Sequence, residues 1–275
     1  MTAVHHLPGT SAAARAFSGS MSGKTLWDDR RVFAVWAAAT GLLAALYASM
    51  YPQVSSRPAA EMPEAMEGFG LGDTVTAAGY LQGAVFGLLV PLMVVFYGSA
   101  TGARMISADE ESGYLDLLLA HPISRTRLLL HRFAALAAGA AAICLTVLLV
   151  LLALRSSADL DSVPVTAFLA QATGLFLLCV LFGALALAVS AATAWGRAAV
   201  FGTTASLGVL AYAVRGFAPT LDADWLKYAT PFHYYIGGEP LRNGFQYLDL
   251  AVLAAAAVLL LVLAVRLLNR RDLGR

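Results

Sequence analysis

Asp109, Glu110 and Glu111 form a run of three carboxylates, with a fourth at Asp116, inside the stretch SADEESGYLDLLLAHPISR from Ser107 to Arg125. The stretch lies between two long apolar runs. Ser107 followed by Glu110 has the S-x-x-E form of a capping box, in which the hydroxyl and the carboxylate satisfy free N–H groups at a helix start. Asp109, Glu110 and Glu111 would also complement the positive end of such a helix, each by about 0.3–1 kcal/mol. A helix is therefore expected to begin at Ala108. Pro122 disfavours helical geometry at His121, so the helix should end near Ala120. Its length would be about 20 Å at 1.5 Å per residue, too short and too charged to cross a bilayer. Leu115, Leu118 and Leu119 make an i, i+3, i+4 stripe, and Ser124 is placed to cap the next helix, with Arg125 and Arg127 at its start.

Charge crowded onto one short amphipathic helix can anchor it to lipid, face solvent, or dock on another protein. An anionic-lipid anchor needs Lys and Arg on the polar face, and this helix carries carboxylates instead. A solvated loop helix and a rigid lever for a cytoplasmic partner both fit the residues.

The helix has to be positioned by what surrounds it, and that is membrane. The chain is 59% hydrophobic and 13% charged, with a mean hydropathy of +0.72. Soluble domains carry about 25% charged residues, so there is too little polar surface here to coat a water-soluble globule. Six stretches approach the roughly 20 residues needed to span a bilayer: Val32–Met50, Thr76–Gly98, Leu128–Leu154, Val165–Ala191, Ala198–Val214 and Tyr247–Leu268. The fold class expected is all-α and polytopic, with a leader over residues 1–23, rich in Ala, Ser and Gly and read as disordered, and one transmembrane domain over 24–275. The first run is longer than the apolar core of a secretory signal, about 7–15 residues, so it is read as a retained span.

Orientation follows from basic residues in the short loops. With both termini inside, thirteen of the 18 Lys and Arg residues fall on the inner side and five, Arg57, Arg155, Arg215, Lys227 and Arg242, on the outer side. The acidic helix is then cytoplasmic. The outer segment 215–246 is rich in aromatics and punctuated by Pro219, Pro231, Gly237, Gly238 and Pro240. Short helices at the outer interface or dipping into protein-lined space are expected there, unless it is an ordinary aromatic belt. Gly79, Gly83 and Gly87, four apart, form a helix-packing stripe, and Gly98 with Gly102 repeats the spacing.

Several functions are excluded by what is missing. A net charge of +1 leaves no nucleic-acid footprint. Cys144 and Cys179 sit in apolar runs as small buried hydrophobes, no zinc pattern is present, and His5-His6 is an isolated pair, so no metal is expected. No HExxH, GxSxG, nucleotide-binding P-loop or dinucleotide fingerprint occurs. The span centres lack ionisable groups of the kind an ion-driven carrier uses, Gln82 and Gln171 being polar but uncharged. The chain itself is not expected to be an enzyme or to bind nucleotide.

The run EESGYLDLLLAHPISR, Glu110 to Arg125, resembles the cytoplasmic loop of ABC-2 type transporter permeases, approximately E-x-G-T-L-[DE]-x-L-L-[AS]-x-P-[VI]-S-R, with Tyr114 where Thr is usual. LWDDRR, Leu26 to Arg31, is similar to the amphipathic helix leading into that family's first span. TPFHYYI, Thr230 to Ile236, with Pro240-Leu241 and Asn243-Gly244, is similar to the segment before its last span. The resemblance implies a permease subunit of an ATP-binding cassette exporter in the bacterial cytoplasmic membrane. Two permease chains, as a homodimer or a related pair, would meet in the bilayer, with two separate ATPase subunits beneath holding ATP and Mg. The helix between spans 2 and 3 becomes the coupling helix. Asp109, Glu110, Glu111 and Gly113 would shape its start, Leu115, Leu118 and Leu119 would pack it, and Pro122, Ser124 and Arg125 would fix its junction to span 3. Asp28 and Arg31 are weaker candidates for the same interface. The cargo implied is amphipathic or hydrophobic: a drug, antibiotic or lipid-like molecule. A secondary carrier and a non-transporting scaffold or sensor subunit are the alternatives.

Overall fold

In a computed structural model of the chain, residues 10–56, 73, 75–112, 125–218 and 224–270 are described. They form helices α1 (Thr10–Ser55), α2 (Ala77–Ala84), α3 (Leu89–Ser112), α4 (Arg125–Ala153), α5 (Val165–Ala192), α6 (Arg197–Phe217), α7 (Pro231–Ile236), α8 (Pro240–Asn243) and α9 (Tyr247–Arg270), with a 3-10 segment at Asp224–Ala229. No strand occurs among the described residues. Six segments are long and apolar enough to cross a membrane: Arg31–Ser55, Leu89–Ser107, Thr126–Ala153, Val165–Ala192, Arg197–Phe217 and Tyr247–Arg270. Six spans are expected, and six candidate spans occur among the described residues, the second of them displaced to Leu89–Ser107. α1 passes through the expected leader boundary at residue 23 without a break in the helix.

α5 is the hub. Its 28 residues contain no charge, and most of them are buried on every side, as expected of a helix apolar all round. It packs chiefly against α3 and α9, and also against α4; α1 lies on α4 and α6 on α3. The close α3–α5 approach depends on missing side chains. A Cβ at Gly98 would collide with the Cys179 carbonyl oxygen, and one at Gly102 with the Gly183 carbonyl oxygen. Tyr97, fully buried on the same helix, holds α1 through edge-on contacts to Phe33 and Trp36 at 6.1 and 6.0 Å. The outward faces carry exposed leucines, among them Leu42, Leu46, Leu145, Leu149, Leu210 and Leu259. A bilayer covers such a surface; water would not.

Two expectations are corrected. The second span, read as one helix over 76–98, is broken into α2 and α3 by the turn Val85–Leu88. Pro91 has no N–H to close a bond to the Gly87 carbonyl, and its ring crowds that oxygen. The chain widens there: Phe86 N–H bonds the Leu81 carbonyl, five residues back, at 3.0 Å, and Gly87 N–H bonds Gly83 at 3.1 Å. A Cβ at Gly87 would strike the Gly83 carbonyl, and one at Gly79 would stand 2.5 Å from the Asp73 carboxylate. Gly79, Gly83 and Gly87 are buried, but the break keeps them from forming one flat stripe.

The second correction concerns Ser107. α3 continues through it to Ser112, so no helix begins at Ala108. Ser107 is buried at 1% exposure, and its hydroxyl donates to the Ser190 hydroxyl at 3.3 Å. An S-x-x-E sequence inside a helix is indistinguishable by composition from one that caps it. Here the tertiary hydrogen bond to α5 won.

Candidate functional site

The end of the bundle where α3 stops and α4 begins is tied together by three polar contacts. The Arg132 guanidinium donates to the Met105 carbonyl, joining α4 to α3. Ser107 joins α3 to α5. The Asn269 amide donates to the Thr126 hydroxyl at 3.1 Å, joining α9 to α4. Arg104, Arg127, Arg197, Arg266 and Arg270 belong to the same end. An open pocket of about 420 Å³ lies on the first turns of α4, lined by Thr126, Arg127, Leu130 and His131.

The opposite end is built differently. α7 does not lie flat on the surface. Phe232, Tyr235 and Ile236 are buried. Tyr235 lies against Gly174, where a Cβ would stand 3.4 Å from its ring. Gly174 is nine residues into α5, roughly 14 Å along the axis at 1.5 Å per residue. Phe232 meets Phe182 at 6.2 Å and Tyr212 of α6 edge-on at 5.4 Å. The aromatic segment therefore dips between the spans, the second of the two arrangements expected from its Pro and Gly punctuation. Thr230 before it and Pro231 at the first helical position set the start of α7, where a proline loses no intrahelical hydrogen bond.

α2 and α8 meet beside α7 through a charged clamp. Asp73 accepts from the Val75 and Thr76 N–H groups at 3.0 and 3.1 Å, and the Thr76 hydroxyl caps α2 by accepting from Gly79 N–H at 3.1 Å. Arg242 of α8 reaches the same carboxylate and also pairs with Glu239 at 3.0 Å. Glu239 holds a left-handed φ of +50° to turn the chain into α8. Arg242→Gln is expected to cost about 1 kcal/mol, the upper part of the range for partly exposed pairs. It should also speed hydrogen exchange at Val75, Thr76 and Gly79, which mass spectrometry on the purified protein would read. Next to the clamp, burial and the Arg215 and Lys227 charges hold the His233 imidazole below its ordinary range, against the pull of Asp249.

Five polar atoms gather around α7 without hydrogen-bond partners: Gln82 Oε1, both carboxamide atoms of Gln171, Arg215 Nη1 and Tyr235 Oη. Gln82 Nε2 donates to the Ile236 carbonyl at 3.3 Å. Gln82 and Gln171 stand out in the sequence as polar residues within spans. Tyr235 does not, because α7 carries it inward from an aromatic segment, and Arg215 does not, because it sits at the end of a span, in the last turn of α6.

Residues 24–273 match the family described as ABC-2 family transporter protein. The chain belongs to the ABC-2 transporter family. No curated protein is significantly similar to it. In this ABC-2 chain the residues expected to meet the ATPase divide in two. Asp109, Glu110 and Glu111 lie in the last turn of α3, and Arg125 is the first residue of α4. Gly113, Leu115, Leu118, Leu119, Pro122 and Ser124 lie outside the described residues. Asp28 is helical within α1, and Arg31 is exposed at the start of the first span. No cluster of His, Cys, Asp or Glu able to hold a metal occurs among the described residues. The ABC-2 assignment makes this chain a membrane transport component and a multi-pass membrane protein.

Proposed function

We propose that this permease is driven by a separate ATPase docked at the end where α3 meets α4, and that it exports an amphipathic or hydrophobic substrate across a bacterial cytoplasmic membrane. Both termini and the segment 107–125 face the cytoplasm, where the arginine excess belongs. Two ATPase copies, holding ATP and Mg, serve two permease chains, most simply a homodimer. The observation that carries the reading is the run Asp109, Glu110 and Glu111 on α3, at the end of the bundle where α4 begins. Three adjacent carboxylates suit a basic surface on a partner.

Continuity of α3 from the break to Ser112 makes the helix itself the lever. A push delivered at Ser112 travels along 24 residues, about 36 Å, to the turn Val85–Leu88. α2 beyond the turn holds α7 through Gln82, so motion at one end reaches the polar cluster at the other. The test is affinity purification of the tagged full-length chain from its native membrane in mild detergent. A stoichiometric ATP-binding protein and a second copy of the chain are expected. A chain that purifies without an ATPase, yet moves substrate on a proton gradient alone, overturns the reading.

A further inference from the structure

The polar atoms around α7 have a common character. Arg215, in the last turn of α6, supplies a guanidinium whose Nη1 is buried without a partner. Tyr212, one turn earlier on α6, meets Phe232 of α7, and no carboxylate pairs with Arg215 among the described residues. Tyr235 is 2% exposed and Gln171 0% exposed, and by hydrogen-bond geometry neither the phenol oxygen nor the Gln171 carboxamide has a partner. A half-buried guanidinium, a buried phenol and two carboxamides, each with at least one unpaired atom, are costly in a low-dielectric site. The unpaired donors are the Arg215 guanidinium N–H, the Tyr235 phenol O–H and the Gln171 carboxamide N–H, and the unpaired acceptors are the Gln82 and Gln171 carbonyl oxygens; the guanidinium carries the only charge among them. The walls beside them are rings, Phe232 and Tyr212, in edge-on contact.

We propose that Arg215, Tyr235 and Gln171 form a substrate subsite that takes the oxyanion head, carboxylate or phosphate, of an acidic amphiphile whose apolar body lies against Phe232 and Tyr212. Guanidinium is suited to this because its fork matches two oxygens of one acid group. The phenol and the Gln171 carboxamide complete the donor set. Gln82 ties the subsite to α2, on the far side of the helix break from α3. This deepens the exporter reading by naming a cargo class, and it rests on that reading only for the direction of movement.

The test uses the full-length chain in phosphatidylcholine nanodiscs, without nucleotide or ATPase. The probe is dansyl-aminoundecanoate, with its primary amide as the uncharged counterpart, read by dansyl emission. Wild type should prefer the acid by about tenfold or more, the scale of one charge-assisted bidentate contact. Arg215→Gln should erase the preference, Arg215→Lys should retain part of it, and Tyr235→Phe should weaken acid binding alone. Dodecyl phosphate should displace the probe, and inorganic phosphate at the same concentration should not. Equal binding of acid and amide to wild type overturns the proposal, as does a preference that survives Arg215→Gln. Displacement by inorganic phosphate as effective as by dodecyl phosphate overturns the assignment to an amphiphile. If Arg215→Gln does not fold, Gln171→Leu decides, and an unchanged preference there sinks the subsite. Because binding is read on the chain alone, its failure leaves ATP coupling intact, and a failed co-purification leaves the subsite intact.

Discussion

Gly102→Leu is expected to leave little folded protein. A Cβ at this position would overlap the Gly183 carbonyl oxygen and stand 2.9 Å from the Ala186 Cβ. The obstacle is backbone, so no rotamer change relieves it. One turn away, Gly98 meets the Cys179 carbonyl, and its Cβ would lie 3.1 Å from the Gly183 nitrogen. Overpacking a core against movable side chains costs about 1–3 kcal/mol. Here α3 must leave α5 altogether, so the loss should exceed that range and approach the whole stability of a typical domain, about 5–15 kcal/mol. The measurement is the yield of monodisperse protein by size exclusion and the melting temperature of whatever folds. Gly202→Leu on α6 is the control, since a Cβ there meets nothing within 4 Å, and it should behave as wild type. A Gly102→Leu protein that melts with the control would mean that the two backbones do not touch.

The same seam explains why α5 can be the hub. Lipid tails are as apolar as leucine, so helices in a bilayer associate by close packing and not by escape from water. Small residues at Gly98, Gly102, Gly183 and Ala186 let carbonyl oxygens approach the facing helix, where weak Cα–H donors stabilise them. α3 and α5 are thereby expected to move together, and the flexible element is displaced to the turn before Pro91.

Much of this architecture was legible without coordinates. Runs such as Val165–Ala191 are too long and too uniformly apolar to be anything but spans, and α5 occupies Val165–Ala192. The break at Val85–Leu88 was not legible, because a single proline in a span leaves the hydropathy unchanged and is often absorbed as a mild kink. Ser107 misled for a different reason: its tertiary partner, Ser190, is far along the chain. The polar cluster was half visible. Gln82 and Gln171 stand out in apolar runs, but Gln82 finds its partner 154 residues away at Ile236. Only the inward dip of α7 brings Tyr235 beside them, and its packing on α6 adds Arg215. The acidic segment drew notice by type and resemblance, and Asp109, Glu110 and Glu111 prove to continue α3 instead of starting a new helix.

The second large prediction concerns the carboxylates of α3. Replacing Glu110 and Glu111 together by lysine should abolish export and the stimulation of the ATPase by substrate, while leaving the chain itself near wild-type stability. Both residues are helical within α3, and charge effects near a helix end are worth only about 0.3–1 kcal/mol each, so the melting temperature of the double variant should hold. A basic docking surface on the ATPase would now meet two positive charges where it had two negative ones. Like-charge contact across an interface costs several kcal/mol, enough to lower coupled turnover by about a hundredfold or more. Both readouts are needed: melting of the purified chain, and substrate-stimulated ATP hydrolysis of the co-purified complex in proteoliposomes. Loss of coupling with retained stability places the two residues at the ATPase contact. Wild-type coupling in the double variant, with normal assembly, would remove the end of α3 from force transmission altogether.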